Sequence, residues 1–438
     1  MSKLDQMSTF NLILLIAFGA SAVGAVALFA IGGIGGGDGM RNIDLTLWGS
    51  MDRRIVEDWL DKNFEDNPNI NVEYRYINEN SFDMELVEEM SLERGPDMVL
   101  ISQDQINRHR ERLMAVPFNV YSERQFRDTF IQSAEVFLDR SKGSIYAFPV
   151  LVDSIVMYWN RSFVREMGYT RPPEKWGDLG DFVRAGTKRA GDRIERGSVA
   201  FGEYSNLEHA KGILSTLIFQ AGGRVLTGEL SDLSVVFEND FGRRVSPAVS
   251  SVMFFTDFSD PRRPIYTWNR EMPNSFRAFT DEEVVVYFGK TSDYRRISET
   301  NPFLDLDVSS VPENEEGVSS SYANVIGLGI IKTTPDPQGC FHAAEVLTSR
   351  TSLEHLSSSL SGVPPAREDI LNNPPQHSPQ FPVFYRAAIR SQSWIDPAPS
   401  DTEEIFRDMI EAVVDGDTEV DDAVTRAHRR LRSLIRNL

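Results

Sequence analysis

Residues 144–179, SIYAFPVLVDSIVMYWNRSFVREMGYTRPPEKWGDL, constrain the fold more than any other part of the chain. Residues 145–152 are almost wholly apolar and rich in β-branched and aromatic side chains, the composition of a strand buried on both faces of an α/β sheet. Asp153 and Ser154 break that run, and a helix and a Pro-Pro-Glu-Lys-Trp turn are expected to follow. A polar pair at the end of a buried strand falls where α/β sheets expose ligand contacts, outside the carboxyl ends of their strands. The sequence therefore places a site near Asp153.

The flanking pattern repeats the unit. Residues 43–48 (IDLTLW) alternate, then yield to Gly49-Ser50-Met51-Asp52, a loop ahead of an amphipathic helix carrying Ile55, Val56, Trp59, Leu60 and Phe64. Asn67-Pro68-Asn69 turns the chain, residues 70–77 read as a strand, 84–92 as a helix and 97–101 (DMVLI) as a second buried strand that runs into Ser102-Gln103-Asp104. This order predicts a mostly parallel sheet with helices on both faces, its loops after Trp48, Ile101 and Val152 converging at one edge. A second strand-helix group near residues 199–219 and the middle region reaching Trp268 are expected to form a second sheet, while residues 279–290 (FTDEEVVVYFGK) read as acidic turn, buried strand and glycine exit, and 325–331 as a further strand. Two helices end the chain, the last lining up Val424, Ala427 and Leu431 on one face.

A chain of 438 residues exceeds what one core holds, so at least two lobes are expected. The excess of 65 acidic over 45 basic residues opposes nucleic-acid binding, which depends on Lys and Arg neutralising phosphates. The single cysteine, Cys340, rules out an intramolecular disulfide. Residues 10–34 carry no charge and as a helix would extend about 37 Å, enough for a hydrocarbon core of about 30 Å. This segment reads as an uncleaved membrane anchor, with a signal peptide cut near Ala20-Ser21-Ala22 as the alternative. The glycine-rich 32–39 stretch behind it is a tether.

The order of motifs resembles the family 1 extracellular solute-binding proteins, the sugar-type binding components of bacterial ABC importers. The matching pieces are LTLWGS, NPNINVEY, GPDMVLISQDQI, GSIYAFPVLVDSIVMYWNRSF with PPEKWGDL, AFTDEEVVVYFGKTS, NVIGLGIIKTT and GVPPARED. The lipid-bearing cysteine usual in that family is missing. The resemblance implies an α/β, two-lobed periplasmic-binding-protein-like fold of type II behind an N-terminal transmembrane helix, with a ligand in the cleft between lobes. Its expected parts are a cytoplasmic N-terminus (1–9), the spanning segment (10–34), a linker (35–42), a first lobe (43–152 plus 325–368) and a second (153–324 plus 369–438). The chain would cross between lobes near Val152, Asn324 and Asp369.

The expected function is capture of a small polar solute, a sugar or oligosaccharide, by a monomer held at the cell membrane with its binding domain on the extracytoplasmic side, for delivery to an ABC transporter permease. The alternatives are a tethered sensor or scavenger without a transporter, and a carbohydrate-active enzyme. Sugars present hydroxyl rims and apolar faces, so their sites combine carboxylates and amides with aromatic platforms. The loops the family would aim into the cleft supply Trp48, Ser50, Asp104, Asp153, Tyr204, Asn206, Ser292, Tyr322, Asn324 and Trp394. Against contact stands, for Asp153, a hinge-capping role, and for Trp394 a lid over core. Trp159 and Trp176 are expected to pack internally. No cofactor or metal is expected, and no Gly-x-Ser-x-Gly, His-Glu-x-x-His or Walker A pattern occurs. Cys340 with His342 reads as packing, since residues two apart on a helix diverge.

Overall fold

The computed structural model describes residues 42–436 apart from 68, 192, 376 and 377. The expected N-terminus, spanning segment and nearly all of the linker lie outside the described residues. Among those described, no helix is long and apolar enough to cross a membrane.

The main sheet contains, in chain order, β1 Ile43–Gly49, β2 Ile70–Tyr76, β3 Met98–Ser102, β4 Phe148–Asn160, β5 Lys188–Ala190, β6 Arg193–Val199, β7 Val284–Lys290, β8 Leu306–Ser309, β9 Ser321–Ile330 and β10 Ser391–Gln392. Across the sheet they run β2-β1-β3-β9-β4-β7-β6-β5, with β8 also on β4 and β10 on β9. β1 is parallel to β2 and β3, and β6 to β7, as the strand-helix-strand rhythm predicts. The sheet is nevertheless mixed rather than mostly parallel, because β4 and β9 run antiparallel to each other, β9 antiparallel to β3, and β4 antiparallel to β7 and β8. These two are the strands that join the halves.

β4 corrects the sequence reading. It does not stop at Asp153 but continues to Asn160, with all thirteen residues buried. The apolar run simply resumes at Ile155. What changes at the polar pair is the partner: residues 148–154 pair with β9, whereas Ile155–Trp159 pair with β7 and the strand's end with β8. β9 crosses beside it, pairing with β10 through Ser321 and Tyr322 and with β3 from Ile326 onward, and Asn324 sits opposite Asp153. A third passage follows the turn at Gly362. The Val152 N–H bonds the Pro364 carbonyl at 2.8 Å and the Ala366 N–H bonds the Val150 carbonyl at 2.9 Å on the first half of β4. Downstream, Phe384 meets Tyr158 on the second half, ring centroids 6.5 Å apart. The strands β1–β3 thus belong to one lobe and β5–β7 to another.

Helices cover both. α1 (Arg53–Phe64) starts where the Asp52 carboxylate accepts the Arg54 N–H at 2.9 Å, and it buries Val56, Trp59, Leu60 and Phe64. Trp59, wholly buried, donates its indole N–H to Ser352 Oγ at 2.7 Å. α2 (Gln103–His109) follows β3 without a loop, α3 (Ala210–Gln220) lies across β9, and α4 (Asp293–Thr300) follows β7. At the end, α5 (Pro399–Val414) and α6 (Val420–Arg436) pair, α6 burying Val424, Ala427 and Leu431 as its periodicity predicts.

Candidate functional site

β1, β3 and β4 run in the same direction, so β1 and β3 end, at Gly49 and Ser102, on the side toward which β4 runs on through Asp153. β1 ends on glycine because a Cβ there would lie 3.0 Å from Leu100 Cβ and 3.1 Å from the Tyr74 hydroxyl.

Gln103 organises this edge. Wholly buried as the first residue of α2, it donates through Nε2 to Tyr322 Oη at 2.9 Å, Asp104 Oδ1 at 3.1 Å and Asn324 Oδ1 at 3.2 Å. Its Oε1 accepts the Val325 N–H. Three sequence-selected residues, Asp104, Tyr322 and Asn324, are therefore held as one group by a residue the sequence reading passed over.

Facing them is a second group that was also missed. Lys211, the one charged residue of α3, donates to Asp396 Oδ2 at 2.7 Å and Thr402 Oγ1 at 3.1 Å, with Glu403 at 3.5 Å. Asp396 is fully buried and also accepts from Thr402 Oγ1 at 2.7 Å. The groups interact across the gap. Burial and then the negative charge of Asp396 push the Asp104 carboxyl up to about 6, against the opposing pull of Lys211, Lys290 and Arg108. For Lys211, burial alone would lower the pKa, but Asp396, Asp104 and Glu403 raise it above the ordinary lysine value. Trp394 stands beside this pair: the Lys211 ammonium is 5.9 Å from its ring centroid, its N–H reaches Ser215 Oγ at 3.2 Å, and it stacks on Phe406.

Asp153 and Ser292 meet at the crossing point. The Asp153 carboxylate accepts from Thr291 Oγ1 at 2.8 Å, the Ser292 N–H at 2.9 Å and Ser292 Oγ at 2.6 Å, tying β4 to the start of α4. Both its oxygens are engaged within the protein, the geometry of a hinge cap.

The remaining selected residues lie apart. Trp48 is buried on β1 with the Arg75 guanidinium 4.4 Å over its ring, and Ser50 is half-buried in the loop behind it. The Tyr204 hydroxyl is buried beside Glu403 without reaching hydrogen-bond geometry. Asn206 spends its amide on the protein, donating to the Asn269 and Met272 carbonyls and accepting from the Trp268 N–H at 3.0 Å. Trp176 is buried and donates to Gln220 Oε1 at 2.7 Å, while Trp159 is buried with its N–H unpaired.

Glu208, His209 and Asp293 offer metal-ligand atoms within 4.8 Å of one another. Arg296 pairs with both carboxylates, His209 Nε2 lies 2.9 Å from Asp293 Oδ2, and the Tyr287 hydroxyl donates to the same oxygen at 2.9 Å. An arginine between the two acids supplies the positive charge that a metal would bring. Although burial works the other way, His209 and Arg296 hold Asp293 down to about 2. Cys340 is buried, its thiol pushed up to about 12 by that burial, which removes it as a nucleophile.

Fold and site together define a two-lobed binding protein with polar side chains converging between its halves. Residues 49–350 match the model of the bacterial extracellular solute-binding protein family, and the chain belongs to that family. Solved structures share the fold. A cyclo/maltodextrin-binding protein complexed with maltotetraose superposes with a TM-score of 0.73 at 15% identity, over 91% of this chain and 99% of its own. The cyclic α-maltosyl-1,6-maltose binding protein from Arthrobacter globiformis gives 0.75 at 13% identity over 90% and 100%. The maltose/maltodextrin-binding domain MalE from Bdellovibrio bacteriovorus, bound to maltotriose, gives 0.65 at 15% identity over 90% and 100%. The family is one of solute-binding proteins, and these neighbours are sugar-binding proteins.

Proposed function

We propose that the protein captures a sugar or short oligosaccharide in the cleft between its lobes and presents it to an ABC importer permease, without turning it over. The observation that carries this is the opposition of Gln103 and Asp104 on the first lobe to Lys211 and Asp396 on the second, with Tyr322 and Asn324 on the crossing strand β9 between them, beyond the carboxyl ends of β1 and β3. Carboxylates, amides and an ammonium group match the donors and acceptors of a hydroxyl rim, and Trp394 supplies an aromatic surface beside them. The sugars named for the structural neighbours support that ligand class.

In this reading Asp104, Tyr322, Asn324 and Trp394 contact the ligand, joined by Lys211. Asp153 and Ser292 form the hinge cap, and Trp48, Ser50, Tyr204 and Asn206 shape the surrounding walls. The lobes are residues 43–152 plus 325–368 and 153–324 plus 369–438, moving about β4, β9 and the third passage near Asp369. Residues 10–34 anchor the protein in the membrane, with the lobes on the extracytoplasmic side. Closure on ligand would report occupancy to the permease.

Calorimetric titration with glucose, maltose, maltotriose and other di- and trisaccharides tests this. One of them saturates a single site, and small-angle scattering records a smaller radius of gyration on binding. Asp104→Asn then weakens binding by the worth of a charged hydrogen bond, about 1.5–3 kcal/mol or roughly 10- to 150-fold. A sugar that binds equally well to Asp104→Asn refutes the assignment of the site.

A further inference from the structure

A second space between the lobes lies away from the strand ends. It has a volume of about 480 Å³, within the range of roughly 300–1,000 Å³ typical of small-molecule sites. The first lobe contributes the 3₁₀ helix Gln132–Phe137 and Arg140; the second contributes Arg224, the hairpin Leu226–Glu229/Asp232–Val235 and residues 391–395. None of Asp104, Lys211, Asn324 or Asp396 reaches it, and Trp394 is the residue shared with the cleft.

The hairpin is clasped onto the first lobe. Arg140 donates from its backbone N–H to Glu229 Oε2 at 3.1 Å and from its guanidinium to Oε1 at 3.3 Å. Ser141 and Ser231 hydroxyls are 2.7 Å apart, and the Arg110 guanidinium bonds the Leu230 carbonyl. Arg140 is shared among Glu123, Glu135 and Glu229, and Arg127 reaches Glu135 at 3.0 Å and Glu123 at 4.0 Å, so each of these acids is paired within the protein. Arg224 is an exposed side chain at the rim, with no hydrogen bond or ion pair among the described residues, and the Ser393 hydroxyl is buried without a partner. Phe219, Leu226, Leu233 and Trp394 supply apolar wall.

We propose that this cavity is a second ligand site, distinct from the sugar cleft, for a small organic carboxylate with an apolar body. The carboxylate pairs with the Arg224 guanidinium, whose planar fork accepts such a group through two parallel bonds. The apolar body lies against Phe219 and Trp394, and Ser393 gains the partner it lacks. Because the walls come from both lobes, an occupant holds them in the relation seen here, and its binding is linked reciprocally to any ligand that moves them.

Calorimetric titration of the full-length chain with phenylacetate and 2-naphthoate, using phenylacetamide as the uncharged control, tests the proposal. The expected result is one saturable site for a carboxylate, at least tenfold weaker binding of the amide, and at least a tenfold loss of carboxylate affinity in Arg224→Gln with the melting midpoint of the free protein unchanged. Carboxylates that fail to saturate, an amide that binds as well, or an Arg224→Gln chain that binds like wild type would each overturn it. Sugars play no part in this titration, so a failure of the sugar-binding reading leaves its outcome readable.

Discussion

Replacing Asp153 with alanine separates a hinge tie from a ligand contact, and its size follows from the bonds at the crossing point. The carboxylate accepts three hydrogen bonds, from Thr291 Oγ1, the Ser292 N–H and Ser292 Oγ. Thr291 is 1% exposed, so its hydroxyl loses its partner with no access to water. A bond to a charged group is worth about 1.5–3 kcal/mol, and an orphaned buried donor costs about 1–3 kcal/mol. Ser292 is exposed, and water replaces most of what its two donors lose. Removing a carboxylate that is 9% exposed also lifts part of its own desolvation cost. The net destabilisation is therefore about 2–4 kcal/mol. Asp153→Asn keeps one acceptor oxygen and loses about half as much.

Urea unfolding followed by tryptophan fluorescence reads this as a lower midpoint with an unchanged slope. A double-mutant cycle with Thr291→Val isolates the tie: the coupling between the two positions is at least about 1 kcal/mol if the bond acts as described. An Asp153→Ala chain less than about 1 kcal/mol weaker than wild type, together with a coupling near zero, refutes the hinge-cap reasoning.

Three further outcomes follow from the same structure. Trp59→Ala removes a wholly buried indole and the hydrogen bond it gives to Ser352, and costs about 3–5 kcal/mol in the same unfolding assay. Gly212→Ala places a Cβ 2.9 Å from the Tyr322 ring where α3 crosses β9, and lowers stability by about 1–3 kcal/mol through overpacking, measured as a drop in melting temperature. The pH dependence follows from Asp104, whose carboxyl rises from the ordinary 3.8 to about 6 on folding. An acid with a raised pKa keeps its proton longer in the folded state, so its contribution is most favourable below about pH 4 and is lost as pH climbs through about 6. Melting curves from pH 4 to 7 should show that decline in wild type relative to Asp104→Asn, in which it disappears; identical profiles count against a raised Asp104 carboxyl.

The parts of this molecule legible in its sequence are those where pattern and packing coincide. The alternation of residues 43–48 and the spacing of Val56, Trp59, Leu60 and Phe64 become β1 and α1 because each buries the face its period marks. The continuation of β4 past Asp153 escaped the same reasoning, since a polar pair normally ends a buried strand. Here Asp153 is compatible with a strand interior because Thr291 and Ser292, distant in sequence, supply its donors.

The cleft was partly legible for a related reason. Asp104, just past the end of β3, and Asn324, on β9, stand at positions that the family resemblance marks, whereas Gln103 and Lys211 earn their importance only from tertiary placement. Lys211 did leave a signal: a lone charge in the otherwise uncharged run AKGILSTLIFQ must be paired if that helix is buried. Its partner, Asp396, could not be inferred from spacing because it lies 185 residues away, beyond two passages between the lobes. That separation is itself informative. In the proposed division of the lobes, Lys211 and Asp396 lie on one side and Asp104 on the other, so the charges that act on the Asp104 carboxyl come from both.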